Sequence, residues 1–380
     1  MTVKSEVGSS YRICARCIMD TSDSDIEFDG DGLCNHCRRL GERMKTGLHI
    51  DEEGQRRLQV FVERIKAEGK NKEYDCIIGL SGGVDSSAVA HIVKKLGLRP
   101  LAVHLDNGWD SELAVSNVEK LVKKLDLDLF SLVLDWELFK DLHLAFLKAS
   151  VINSEVPTDH AITATLYQLA VKKGVRYIIS GSNLATEGIM PLSWGYLNLD
   201  WKHIKGVHDR FGVRKLKGYP HLTLFHWAYY TFVKRIKIFP ILNYVDYNKE
   251  AFKRLLASEY GWKDYGGKHY ESVYTRFFQG YILPMKFHVD KRRAHLSAMI
   301  CSGQMNREDA LEEMEKASYP ADMLTEDKPF VLKKLGLSAE EFEQVLALPS
   351  RSFRDYPNNY FWIRNLRGLV DLAKRRATSA

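Results

Sequence analysis

The sequence predicts an α/β protein: a Rossmann-like parallel sheet, with a small cysteine-rich module before it and a mainly helical region after it. Three observations carry this reading. Apolar runs of strand length alternate with amphipathic helical stretches between about residues 73 and 262. The first run ends in a glycine turn that opens a helix, CIIGLSGGVDSS at 76–87. Four cysteines stand in two C-x-x-C pairs near the N-terminus, Cys14 with Cys17 and Cys34 with Cys37.

The chain has 380 residues, more than one ordinary core would hold. Four segments are expected: a cysteine module over 1–48, a helical linker over 49–72, the sheet domain over 73–262 and a helical substrate or partner region over 263–380. Hydrophobic content of 45% and charge of 27% are globular values. There is no run of 18 apolar residues and no signal-peptide pattern, so a soluble cytoplasmic protein without a transmembrane segment is expected. A net charge of +6 suits anionic substrates such as nucleotides without demanding nucleic acid, and no nucleic-acid partner is expected.

The elements follow in order. Residues 1–10 read as frayed. The spacing C-x₂-C-x₁₆-C-x₂-C is that of a zinc ribbon, in which four thiolates close a tetrahedral site and leave no position for catalysis. The stretch between the pairs is turn-rich and too poor in apolar residues to fold without such a staple. His36 is an alternative ligand or a solvent-facing residue. Cys76 reads as a core residue, and Cys301 is unassigned. Leu58, Phe61, Val62 and Ile65 give the linker one helical face.

Strands are expected at 76–80, 101–106, 129–134, 175–180 and 238–242. Helices are expected from Val84, from Ser111, near 137–150 and 160–173, and after a cap at Asp246 or Asn248. The aromatic stretch 222–236 is too short to span a bilayer. It reads as a membrane-surface or partner helix, or as a buried or subunit-packing one, the usual place for an apolar helical stripe. The last 110 residues or so lose the alternation and carry helical runs with a basic cluster.

Ligands of such sheets bind beyond the carboxyl ends of the strands. The first strand ends in Ser81-Gly82-Gly83, where a turn without side chains and a helix N-terminus make an anion site. No lysine follows the glycines as in G-x-x-x-x-G-K-[ST]. Asp85 stands there instead, and a carboxylate beside a polyphosphate implies a bridging Mg²⁺. Asp106 and Asn107 end the second strand, near a prospective adenosine. Gly181, Ser182 and Asn183 follow the fourth strand, with Glu187 as a second Mg²⁺ or base candidate. Asp159 and His160 face the same mouth if their helix starts there; Asp159 is read equally as an N-cap or as functional. Lys286, Arg292 and Arg293 are read as binders of substrate phosphates or a carboxylate, or as a solvated basic face.

The string S-G-G-x-D-S over 81–86 resembles the pyrophosphate loop of the PP-loop ATP pyrophosphatases, which cleave ATP between the α- and β-phosphates and adenylate a carbonyl-type oxygen. With the cysteine pairs ahead of it, and PTDHAI (157–162), SGSNLATEGIMP (180–191), SWGY (193–196), YTRFFQGYILPMKF (274–287) and HLSAMICSGQMNREDA (295–310) after it, nearly the whole chain resembles the N-acetyl sugar amidotransferase family of O-antigen and pseudaminic acid biosynthesis. The resemblance implies that an N-acetyl group on a nucleotide-linked sugar becomes an acetamidino group, with ATP, Mg²⁺ and ammonia. It implies that Ser81, Gly82, Gly83, Asp85, Ser86 and Ser87 hold pyrophosphate, with a structural Zn²⁺ on Cys14, Cys17, Cys34 and Cys37. It also implies a separate glutaminase, imidazole glycerol phosphate synthase-like, since Met1 is followed by Thr2 and no nucleophile elbow surrounds a cysteine. Two other readings remain: a tRNA-thiolating ATPase, which would need a catalytic cysteine near the site, and a nucleotide-binding scaffold that does not turn ATP over.

Overall fold

The computed structural model describes residues 11–196 and 198–365; the frayed start expected over 1–10 lies outside the described residues. The cysteine module begins with turns tied by two isolated antiparallel bridges, Ile13 with Asp20 and Phe28 with Cys34. It continues into α1 (Asn35–Gly47), whose first turn is capped by the Cys34 sulfur accepting from Cys37 N–H. Next comes α2 (Glu52–Gly69), opened by the Asp51 carboxylate accepting from Gly54 N–H and burying Leu58, Val62 and Ile65.

The alternating region then runs β1 (Cys76–Gly79), α3 (Val84–Lys95), β2 (Pro100–Asp106), α4 (Glu112–Leu125), β3 (Asp128–Val133), α5 (Trp136–Ala149), α6 (Val156–Lys172), β4 (Tyr177–Ser180), α7 (Leu184–Glu187), α8 (Trp201–Phe211), α9 (Leu224–Ala228), β5 (Lys237–Pro240) and α10 (Lys249–Tyr260). All four strand pairings are parallel, in the order β3-β2-β1-β4-β5. The order reverses between β1 and β4, so the crevice at their carboxyl ends is the switch point. Successive side chains of β1 enter opposite faces. Ile78 joins a core with Val89, Leu121 and Trp262, and Ile77 joins one with Leu101, Ala164 and Trp227.

The C-terminal part is helical: α11 (Val273–Phe277), α12 (Leu283–Phe287), α13 (Arg292–Cys301), α14 (Arg307–Glu315), α15 (Ala321–Leu335) and α16 (Ala339–Ala347). It is not a free-standing bundle. Phe277, Phe278 and Phe342 share one apolar core with Phe139 and Phe146 of α5. Two short π-helical stretches interrupt the helical runs, at 229–233 and 278–282.

Three expectations shift. The helix expected from residue 160 starts four residues earlier: Glu155 is its N-cap and Pro157 lies in its first positions, where a missing N–H is harmless. Asp159 is therefore inside the helix rather than its cap. Asn248, not Asp246, caps α10 through Ala251 N–H. The aromatic stretch 222–236 is neither wholly buried nor one continuous α-helix. Trp227 packs into the core while Phe225, Phe232 and Val233 are exposed. Among the described residues no helix is long and apolar enough to cross a membrane.

Candidate active site at the strand ends

The turn after β1 is shaped by glycine and serine. Gly82 has φ +81°, and a Cβ there would lie 2.4 Å from the Ala114 carbonyl oxygen, so no other residue fits. Gly83 caps α3, and its carbonyl accepts from the Ser86 and Ser87 hydroxyls at 3.0 and 2.7 Å. Ser81 N–H donates to Ser86 Oγ at 3.2 Å. The Val84 amide, the first of the helix, donates to the Tyr265 hydroxyl at 3.2 Å. Across the switch point Gly181 lets β4 approach: a Cβ would stand 3.3 Å from the Asp85 backbone.

A single cavity of about 1090 Å³ opens here. Its lining includes Ser81, Ser86, His104, Asn107 and Asp110 from the first two strand ends, Asp159, Glu187, Lys249 and Lys268, and Tyr270, Arg276, Lys291, Arg292, Lys316 and Ser318 from the C-terminal part. It therefore joins the phosphate turn to the C-terminal helices.

The charges along it are arranged in opposition. Burial pushes the Asp85 carboxyl up and the Glu187 charge adds to that, against Lys249 and Lys268. Asp85 accepts a hydrogen bond from the Tyr247 hydroxyl, with Asn183 Nδ2 at 3.5 Å. Burial works on Glu187 in the same direction, but Lys268 at 3.1 Å and His269 outweigh it and hold the carboxyl below the usual range. Both carboxyls offer hard oxygen donors of the kind a Mg²⁺ ion takes. Lys249, the first residue of α10, is buried, which lowers its pKa against the pull of Asp85.

Asp159 opens onto the cavity yet is ringed by protein. Burial first, then the neighbouring Glu155, push its carboxyl up to about 7, against Lys291 and His269. Glu155 itself is bound by Gln279 at 2.7 Å and faces Lys291 at 3.7 Å. His104 places Nδ1 2.9 Å from the Leu80 carbonyl and Nε2 3.1 Å from the Asp110 carboxylate. Burial opposes its charge, but Asp110 and then the Leu80 carbonyl prevail, and its pKa is raised.

Of the residues singled out in the sequence, Ser81, Ser86, Asn107, Asp159, Glu187 and Arg292 line the cavity. Gly82, Gly83, Asp85 and Ser87 build the turn beneath it. Asn183 caps α7 through Thr186 N–H, just after Gly181 and Ser182. Asp106 and Asn107 each close a tight turn, accepting from Gly108 and Trp109 N–H. Asp106, Gly181, Ser182 and Asn183 do not line the cavity themselves, and three further residues are engaged elsewhere. His160 points into the core with both ring nitrogens used, 2.5 Å from the Asn198 carbonyl and accepting from Leu222 N–H, and burial lowers its pKa to about 4. Lys286 donates to the carbonyls of Val345, Leu346 and Leu348 at the end of α16. Arg293 binds the Ile18 carbonyl and Asp20, tying α13 to the cysteine module. Arg292 reaches the cavity wall while paired with Asp290 at 2.7 Å.

Sequence reasoning missed His104, Lys249, Tyr265 and Lys268, and gave Lys291 no role beyond the basic cluster. The one available signal was KDYGGKHYES at 263–272, a Gly-Gly pair among charged and aromatic residues.

The four module cysteines come together: their sulfurs lie within 4.8 Å of one another, with Cys14–Cys37 and Cys17–Cys34 at 3.8 Å. A tetrahedron with Zn–S near 2.3 Å has edges of about 3.8 Å, so the group fits a zinc ion. His36 is not a ligand; its Nε2 lies 2.6 Å from Asp23. Cys301 Sγ lies 3.5 Å from Cys37 Sγ.

Residues 271–367 match the family model of the LPS biosynthesis protein WbpG-like, C-terminal domain. Residues 56–187 match that of NAD synthase. The chain carries a WbpG-like C-terminal domain behind a NAD synthase-type domain. The WbpG-like segment begins at Glu271, in the wall of the cavity, so both matched regions contribute to one site. No curated protein matches the chain. Among solved structures, NMN synthetase from Francisella tularensis is 17% identical, with 77% of this chain and 90% of that one covered and a TM-score of 0.32. The NH3-dependent NAD synthetase of Campylobacter jejuni is also 17% identical, covering 59% and 93%, at TM-score 0.27. A predicted subunit of tRNA methyltransferase from Methanocaldococcus jannaschii is 17% identical, covering 48% and 75%, at TM-score 0.28. At TM-scores of this size, no feature of those proteins is transferred to this chain.

Proposed function

We propose that this protein is an ATP-dependent amidotransferase of lipopolysaccharide synthesis, converting the N-acetyl group of a nucleotide-linked sugar to an acetamidino group. The observation that carries the reading is the single cavity shared by a phosphate-type turn and a WbpG-like domain. ATP lies with its pyrophosphate over Ser81–Gly83 and the α3 N-terminus and its adenosine toward His104 and Asn107. Asp85 and Glu187 would hold Mg²⁺, which neutralises the phosphates. The sugar lies toward Tyr270, Lys291, Arg292 and Lys316.

The chemistry follows from an amide being a poor electrophile. Its oxygen attacks the α-phosphorus, pyrophosphate leaves, and the resulting O-adenylyl imidate is attacked by ammonia with release of AMP. The chain's part is to position the two substrates, offset charge and exclude water. Lys249 and Lys268 stand where negative charge develops on the leaving pyrophosphate. Asp159, with its pKa near neutrality, is placed to take a proton from the incoming nitrogen. Ammonia is supplied by a separate glutaminase or from solution. The segment 263–380 acts as the substrate region, and a structural zinc holds the module over 1–48.

Neither rival is favoured. Cys76 is buried within β1 and Cys301 lies beside the cysteine module, so no thiol lines the cavity for sulfur transfer. The test is mass spectrometry of candidate nucleotide sugars incubated with ATP, Mg²⁺ and ammonium. Replacement of one oxygen by NH, with AMP and pyrophosphate formed in step, is expected. ATP binding without turnover across uridine- and cytidine-linked N-acetyl sugars would leave the scaffold reading in its place.

A further inference from the structure

Between α8 and α10 the chain carries no acidic residue from 210 to 245, while seven lysines and arginines fall in the same span. Within it, α9 and the π-helical stretch after it expose an apolar face. Phe225 is 76% exposed, Tyr229 36%, Phe232 55% and Val233 64%. Their spacing, i, i+4, i+7 and i+8, is that of one helix face. Only the opposite side is anchored, by Trp227 in the core beneath the sheet. Lys234, Arg235 and Lys237 follow at once, all exposed, and lead into β5, where Ile238 is 48% exposed. The Lys234 ammonium lies 5.6 Å over the Tyr229 ring, beside the apolar face rather than away from it. None of these residues lines the cavity described above.

Large apolar side chains left outward at helical spacing call for a cover. A second copy of this chain is a poor one, because two-fold pairing would set this cationic cluster against itself. An anionic lipid surface fits each feature. Aromatic and aliphatic side chains enter the headgroup boundary, and lysine and arginine at one end reach the phosphates while their stems stay apolar.

We propose that the face formed by Phe225, Tyr229, Phe232, Val233 and the Lys234–Arg235–Lys237 cluster docks the protein on an anionic membrane surface. This does not depend on the reaction assigned above.

The experiment is co-sedimentation of the full chain with vesicles of phosphatidylcholine alone and of an equal mixture of phosphatidylcholine and phosphatidylglycerol. Binding to the mixed vesicles only, weakening as salt rises, is expected. Each cation at such a surface strengthens binding about fivefold, so Lys234→Glu with Arg235→Glu should weaken it ~30-fold or more. Phe232→Ser with Val233→Ser should weaken it by about tenfold or more. Both double variants replace exposed side chains, and their thermal unfolding should match the parent's. The proposal is overturned if the parent ignores the mixed vesicles, or binds both kinds equally. It is equally overturned if the variants bind like the parent. Loss of self-association or of an acidic protein partner in the variants, with vesicle binding intact, would assign the face to that partner instead.

Discussion

The charge of Glu187 acts on Asp85, and Lys249 and Lys268 act on both; in the proposed site the two carboxylates hold Mg²⁺. Asp85→Ala should therefore lower amidination by about 10³-fold, the scale of losing one charge-stabilising group. The melting temperature should hold, since relief of the like-charge pressure from Glu187 offsets loss of the Tyr247 hydrogen bond. A variant of parental activity would end the metal-binding role. Asp159 makes a second residue-scale prediction. Its folded-state pKa is raised from 3.8 to about 7. The folded state thus holds the proton more tightly than the unfolded chain. The stability this gives is complete below about pH 4 and is lost as pH rises through 7. Asp159→Asn should flatten that slope in urea titrations across the interval, and should also remove the rising limb of activity near neutrality. An unchanged activity profile with a flattened stability slope would leave Asp159 an acid of the cavity wall without a catalytic part. Of these groups the sequence makes Asp85 legible, because a carboxylate in a phosphate turn is anomalous. Lys249 and Lys268 look like ordinary surface lysines until the fold turns them inward.

At the scale of elements, what was legible was set by local chemistry. Alternating apolar runs and the glycine turn locate β1, α3 and β2 because strand burial and the anion turn both write directly into residue type. The start of α6 is misplaced because a proline in the first turn reads as an interruption, and moving the start by four residues decides which of Asp159 and His160 faces the cavity. The basic cluster 286–293 is misread for a different reason. Lys286 and Arg293 are spent on backbone carbonyls of α16 and of the cysteine module, partners that only tertiary packing supplies. The glycine turn carries its own prediction. Gly82→Ala would place a methyl against the Ala114 carbonyl at positive φ, a strain of about 1–3 kcal/mol. It should raise the Kd for ATP more than tenfold by calorimetry, with Gly303, at φ +74° in open space, as the control: Gly303→Ala should leave nucleotide binding alone.

Over the whole molecule, the cysteine module is the keystone of the Glu187 segment rather than an appendage. Arg43 of α1 donates to the Gly188 carbonyl at 2.9 Å, and Leu40 packs so closely that a Cβ on Gly188 would lie 2.3 Å from it. From the other side α13 holds α7, with His295 Nδ1 2.7 Å from the Thr186 carbonyl and Ser302 donating to that of Ala185 at 2.9 Å. Arg307 returns from α14 to the carbonyls of Cys14 and Cys17, both at 3.3 Å. A metal that fixes the four cysteines therefore fixes α1 and, through it, the position of Glu187. Cys14→Ser, or removal of zinc by a chelator under reducing conditions, should raise hydrogen exchange over 184–188 before the sheet is affected. Nucleotide binding should weaken in the same step, because the second carboxylate loses its place while Ser81–Ser87 keep theirs. Zinc content measured on the same samples ties the effect to the ion. Exchange at 184–188 that stays protected after the metal is lost would show the module to be a separate staple, and would leave α13 alone to position the site.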